Sequence, residues 1–336
     1  MYHFILAPLL CAIVPLSLAL DPTRLVYQFP KGTWIENLAV RPSGSLLLTL
    51  ITTPDLYLLD PLAADPKPQL IHHFSSSLWL TGITETDPNT YYLIGANATY
   101  ETLSPTPGSN RIYRVHFPQP PNPPEISVTA VVENAVFLNG LVTLNPTTLL
   151  ASDSTLGAVW AIDTTSGASR IVLQDSLMLP ATDIPKLGIN GIRLFSNHTL
   201  YFTNSAQALL ATIRIHADGT AASPAKKIAS AATGTFYDDF AIDRYGDALL
   251  TTGPGDSIEE VRRDGSSMII AGAVNTTEIA QPTSAQFGRT LEDSHVLYVT
   301  TAGGLAIPID GDVVVGGQVL AVDTRKSERF RMMGKI

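Results

Sequence analysis

The feature that most constrains this chain is a short pattern that returns six times. WIENLAV (Trp34–Val40) has counterparts in LTGITE from Leu80, LNGLVT from Leu138, INGIRL from Ile189, YDDFAI from Tyr237 and PTSAQF from Pro282. Each is followed by a turn and a β-rich run: SLLLTL, YYLIGA, TLLASD, TLYFTN, DALLTT and VLYVTT. A third run follows in most units, among them DLYLLD, AVWAIDT and QVLAVDT. Self-similarity at a period of about 20–50 residues marks a repeat architecture.

These runs are rich in Val, Ile, Leu, Tyr and Thr and are punctuated by Gly, Pro, Asn and Asp, which reads as strand and turn. No long stretch has helical period, so a doubly wound α/β fold is excluded. Six small antiparallel sheets bury their faces by packing radially around an axis. The expected fold is all-β, a six-bladed β-propeller. TRLVYQF (Thr23–Phe29) precedes the first repeat and has no blade of its own; it is expected to pair beside GGQVLAVDT (Gly316–Thr324) and close the ring.

Composition agrees. Of 336 residues, 45% are apolar and 15% charged, which allows a large core. The net charge is −9 and no basic stripe precedes the tail, which argues against nucleic acid as a partner. An apolar stretch, Phe4 to Leu20, ends in small residues and reads as a signal peptide over 1–20, leaving 21–336 as one propeller domain. No later segment has the apolar length of a membrane span. The only cysteine, Cys11, lies in the leader, so the rest has no disulfide. Acceptor sequons at Asn97, Asn197 and Asn275 fit a secreted glycoprotein.

The repeat aligns one polar residue at the start of each innermost strand: Glu36, Thr81, Asn139, Asn190, Asp238 and Thr283. In a propeller these positions converge on the central channel. A buried carboxylate is costly unless something receives it, and the channel explains Glu36 inside an apolar run. Two carboxylates with amide oxygens nearby suit Ca²⁺, Mg²⁺ or Mn²⁺. The plainer alternative is a ring that only binds channel water and strand ends. Trp34 and Phe137 precede ring positions and are expected at the substrate rim with Thr81 and Thr283. Trp79 is placed similarly. Tyr237, beside Asp238, is the phenol expected to face a ligand. Packing between blades is the competing role for each aromatic.

Other chemistry is poorly represented. There is no Gly-x-Ser-x-Gly elbow. His72 and His73 are adjacent and would point to opposite faces of a strand. The acid spacing of DRYGDALLTTGPGDSIEE does not fit an EF-hand.

The segments INGIRLFSNHTLYFTNS, YDDFAIDRYGDALLTT and PTSAQFGRTLEDSHVLYVTTAGG resemble the senescence marker protein/gluconolactonase family, also called regucalcin-like. The resemblance implies a divalent metal held by Glu36, Asn190 and Asp238, and a substrate contact from Asn139. Where that family has Pro-Asp-Gly, this chain has Tyr237-Asp238-Asp239. The leader, repeat layout and sequons are also similar to a fungal group that includes hetero-Diels–Alderases. That likeness implies cycloaddition between a polyketide-derived o-quinone methide and a terpene alkene, with small apolar substrates and no required cofactor. Glu36, Asn139, Asp238 and Tyr237 would be the catalytic set. The alternatives are a metal-dependent lactonase and a non-catalytic ligand-binding propeller.

Overall fold

The computed structural model describes residues 22–119, 122–181, 186–196 and 198–325. The expected signal peptide with Cys11, the sequon at Asn197 and residues 326–336 lie outside the described residues. Six four-stranded antiparallel sheets are present. From the axis outward, blade 1 runs Ile35–Val40, Leu46–Leu50, Asp55–Leu59 and Gln69–His73. The innermost strands of blades 2 to 6 are Trp79–Glu85, Leu138–Asn145, Ile189–Phe195, Phe240–Ile242 and Pro282–Phe287. Each touches the next, and blade 6 touches blade 1, so the ring is closed.

Closure is made as the sequence implied. Thr23–Lys31 is the outermost strand of blade 6 and pairs antiparallel with Gly316–Asp323. The backbones approach closely there. A Cβ on Gly316 would lie 1.7 Å from the Phe29 carbonyl oxygen, so only glycine fits.

The apolar runs are nearly continuous because both faces of each sheet are buried. Successive strand residues point to opposite faces. Leu46, Leu48 and Leu50 therefore pack toward blade 6 with Tyr298 and Val319, while Leu47 packs toward blade 2 with Leu80 and Leu93. One such cluster lies between every pair of neighbouring blades. Burying each leucine contributes about 1.5–3 kcal/mol. A seventh cluster, with Trp34, Ile51, Trp79, Phe137 and Ala302, lies around the axis at one end.

Hydroxyls stitch the inner strands together. Thr49, Ser152, Thr203 and Thr251 each donate to the ring residue's carbonyl in the following blade: Thr81, Asn190, Asp238 and Thr283. The hydroxyl of Thr81 instead donates to the Leu138 carbonyl, and that of Thr283 to the Ile35 carbonyl, which carries the stitching across blade 2 and across the ring closure.

Candidate functional site

A β-bulge or register irregularity occurs at the ring position in five blades: between Ile35 and Asn37, Leu80 and Ile83, Leu138 and Leu141, Ile189 and Ile192, and Pro282 and Ser284. In blade 5 the strand starts only at Phe240, after Asp238. A bulge breaks strict alternation and re-aims a side chain. Here it turns Glu36, Asn139, Asn190 and Thr283 out of the inter-blade core and toward the axis.

Glu36, Asn139, Asn190, Asp238 and Thr283 line one cavity of about 150 Å³. Its apolar wall includes Trp34, Ile51, Phe137 and Phe236. Leu103, Leu187 and Ile307 reach it from three loops. Leu187 belongs to the long connection that runs from Asp175 into the fourth repeat, of which residues 182–185 lie outside the described residues.

The polar side chains are unequally committed. Trp34 Nε1 donates to Glu36 Oε2 at 2.7 Å. Asn190 Nδ2 donates to Ser205 Oγ at 3.0 Å, and the Asn190 side chain is also bonded to Asp238. Asn139, 3% exposed, shows no side-chain hydrogen bond among the described residues. Burial pushes the Glu36 carboxyl up to about 7; the Trp34 bond opposes this and the charge of Asp239 adds to it. Burial likewise holds the Asp238 carboxyl well above the ordinary range, with the charges of Glu36 and Asp239 acting in the same direction. The cavity thus has two carboxyl groups that keep protons unusually well.

Two expected contacts are corrected. Tyr237 does not line the cavity. Its hydroxyl donates to Glu259 Oε2 at 2.9 Å, and the residue is fully buried in the cluster between blades 4 and 5. Its neighbour Asp238 takes the axial direction, so the phenol is carried away from it; Phe236 is the aromatic that reaches the cavity. Thr81 is also fully buried and lines no part of the cavity; its hydroxyl donates to the Leu138 carbonyl. Trp79 stacks on Phe137 at 5.0 Å and supports the wall from behind.

Sequence reasoning missed a second layer. One residue beyond each ring position stand Asn37, Gly82, Gly140, Gly191, Asp239 and Ser284. Asp239 Oδ2 accepts from Asn37 Nδ2 at 2.9 Å, Ser284 Oγ at 2.9 Å and Arg193 Nη2 at 2.5 Å. A Cβ on Gly191 would lie 2.3 Å from Asp239 Oδ1, so glycine there makes room for the carboxylate. The alternation of polar residues and glycines was visible in the same alignment. Asp153 was missed too: it accepts the backbone N–H groups of Val136 and Phe137 and so fixes the approach to Asn139.

The donor set suits a hard cation. It offers the buried carboxyl of Glu36, the partly buried carboxyl of Asp238 and two amide oxygens, and a cation would relieve the crowding of negative charge. No group of three His, Cys, Asp or Glu residues is placed to hold a metal among the described residues. A metal would therefore need the amide oxygens.

No family model matches the chain. The chain is similar to a Phoma sp protein named "Putative hetero-Diels-Alderase", 28% identical over 309 residues and covering 83% of this chain and 86% of that one. It is similar to "Putative hetero-Diels-Alderase asR5" of Sarocladium schorii, 29% identical over 342 residues, covering 90% and 84%. Among solved structures, a luciferin-regenerating enzyme matches with a TM-score of 0.65 at 15% identity, covering 89% of this chain and 94% of that one. A calcium-binding protein, regucalcin, from Agrobacterium tumefaciens matches with 0.62 at 14%, covering 89% and 94%. Both kinds of likeness agree with the resemblance read from the repeats.

Proposed function

We propose that this protein catalyses a hetero-Diels–Alder cycloaddition, joining an o-quinone methide of polyketide origin to a terpene alkene. The observation that carries the reading is the pair Glu36 and Asp238, two proton-holding carboxyls at one side of an otherwise largely apolar cavity. The relatives' names point the same way. Such a cycloaddition forms one C–O and one C–C bond, releases no leaving group and needs no nucleophile. It needs two apolar partners held face to face and a donor at the heterodiene carbonyl. A neutral carboxylic acid is such a donor. Trp34 Nε1 occupies Glu36 Oε2, so Glu36 Oε1 is the oxygen that presents the proton. Asn139 supplies a second, uncommitted amide. Trp34, Phe137 and Phe236 provide flat faces against which a conjugated ring stacks.

The cavity volume, about 150 Å³, is below the usual range for ligand pockets. It accommodates the reacting ends, with the remainder of each partner at the loop-lined mouth. If a divalent ion binds, Glu36, Asn190 and Asp238 would hold it, and it would polarise the same carbonyl.

Convergence of those three oxygen-bearing side chains favours a second reading, a metal-dependent lactonase. The deciding experiment incubates purified protein with an o-quinone methide generated in situ and a cyclic alkene, and in parallel with lactones, each with and without chelator. Stereodefined adduct formed in chelator supports the cyclase. Lactone hydrolysis that chelator abolishes and Ca²⁺ or Mn²⁺ restores, without adduct, supports the lactonase. Neither activity leaves the ligand-binding propeller.

Secretion and glycosylation belong to the same proposal. Asn275 is exposed and Asn97 partly so. No helix among the described residues is long and apolar enough to cross a membrane. A mass decrease on enzymatic deglycosylation of protein recovered from a secreting host would support it; an unmodified mass would reject glycosylation.

A further inference from the structure

One part of the cavity roof hangs on a single side chain. The segment from Ala302 to Val315 leaves blade 6, turns through Gly303, Gly304 and Gly311 at positive φ, and closes on itself by the Ile309–Val313 bridge. Over the cavity, the backbone N–H groups of Ala306 and Ile307 both donate to Gln281 Oε1, at 3.2 and 3.4 Å. Gln281 is 4% exposed and itself lines the cavity. Its φ is +54°, in the left-handed region that a glutamine rarely adopts. That conformation is held in place by Asp256, whose Oδ1 accepts the Gln281 N–H at 2.9 Å.

Leu103, from another roofing loop, is also held in the left-handed region, at φ +47°. Strained residues of this kind concentrate where a ligand must be clamped. Two non-glycine residues at positive φ, both lining one small cavity, make such a concentration. The roof is otherwise aliphatic: Leu103, Leu187, Ala306 and Ile307. The acceptor oxygen of Gln281 is already taken by the strap. A reactant end lodged against those four side chains finds hydrocarbon; the amide nitrogen of Gln281 is the polar atom this lining residue keeps.

We propose that Ile307 is a specificity-determining residue that sets the size of the hydrocarbon admitted beneath the roof, and that Gln281 is the positioning residue that holds it there. This rests on the cycloaddition reading above and deepens it. The alkene partner lies against the roof with no polar group at that end, and the heterodiene carbonyl lies toward Glu36 and Asp238. Ile307 is 37% exposed, so it can be replaced without opening the core.

The test measures equilibrium binding of two unreactive probes, a monocyclic C10 diene and a bicyclic C15 alkene, by quenching of tryptophan fluorescence. Trp34 stands in the wall, and Trp34→Phe identifies its share of the signal. Ile307→Ala removes three carbons and is expected to shift the C15-to-C10 affinity ratio about tenfold toward C15; Ile307→Trp shifts it as far the other way. Gln281→Leu releases the strap and is expected to move the ratio as Ile307→Ala does. Gln281→Glu keeps an acceptor oxygen and restores the wild-type ratio, which a merely structural role would not predict. If wild type binds both probes and neither Ile307 variant moves the ratio, the inference is overturned and the pocket reading stands. If wild type binds neither probe, both are overturned. An unmoved ratio in a folded Gln281→Leu overturns the positioning role; should that variant not fold, the Ile307 variants decide.

Discussion

Trp34 and Glu36 are joined by a buried hydrogen bond, the indole N–H donating to Oε2 at 2.7 Å. The two residues are two positions apart and reach the same cavity. The tryptophan therefore does more than supply a flat wall. It marks one carboxyl oxygen as the acceptor and leaves the other to carry the proton. It also favours the ionised form, against a burial effect that is larger and of opposite sign.

That balance predicts a pH dependence. The Glu36 carboxyl releases its proton near 4.5 in the unfolded chain and near 7 in the folded one. Between those values the folded state binds more protons, so stability falls as pH rises from about 4.5 to 7. The share of Glu36 is about 3 kcal/mol at 1.4 kcal/mol per unit. Asp238, also raised, adds a loss of the same sign. Urea unfolding at pH 5 and pH 8 should show this slope, and Glu36→Gln should remove the share belonging to Glu36. Adduct formation by wild type should decline above pH 7, while Glu36→Gln should be flatter. A wild-type stability that rises from pH 5 to 8 would contradict the assignment.

The two asparagines should separate function from fold. Asn139 shows no side-chain hydrogen bond among the described residues, whereas Asn190 donates to Ser205 and bonds Asp238. Asn139→Ala should slow turnover about tenfold, for a lost hydrogen bond of roughly 1.5 kcal/mol, with Tm nearly unchanged. Asn190→Ala should lower both. Equal falls in Tm would show that Asn139 is a structural residue.

Tyr237→Phe should behave in the opposite way. The phenol is the donor to buried Glu259 and lines no part of the cavity. Removing it leaves that carboxyl short of a partner, at a cost of about 1–3 kcal/mol. Tm should drop by several degrees, and turnover per folded molecule should hold. A large loss of turnover at unchanged Tm would return Tyr237 to the active site.

Gly316→Ala tests the closure. The added carbon meets the Phe29 carbonyl at 1.7 Å, and the strand Thr23–Lys31 must shift to accommodate it. Hydrogen exchange should speed up in Thr23–Lys31 more than in the strands of blade 3, and Tm should fall. A variant with wild-type Tm would mean that the outer strand contributes little to holding the ring.

The repeat was legible in the sequence because each blade restates one local rule. A polar residue starts an inner strand, and the apolar runs that follow bury both faces. That spacing carried the six blades, the closing strand and the convergence of Glu36, Asn139, Asn190 and Asp238. Side-chain direction was not legible to the same degree. Tyr237 and Asp238 are adjacent, and only the local backbone decides which one faces the axis. Thr81 and Thr283 share a register and both donate to a neighbouring blade, yet only Thr283 also borders the cavity. Gln281 stands two residues before Thr283, in the register that Trp34 and Phe137 hold before Glu36 and Asn139, but Ile307 and Leu103 come from segments with no repeat to align, so their meeting with it over the axis follows from loop paths alone. A periodic pattern determines which residues recur in equivalent places, since every blade must satisfy the same packing and hydrogen-bonding demands. Only the tertiary structure decides which of them meet a cavity, because that depends on bulges, close glycine contacts and loops that bring together positions far apart in the chain.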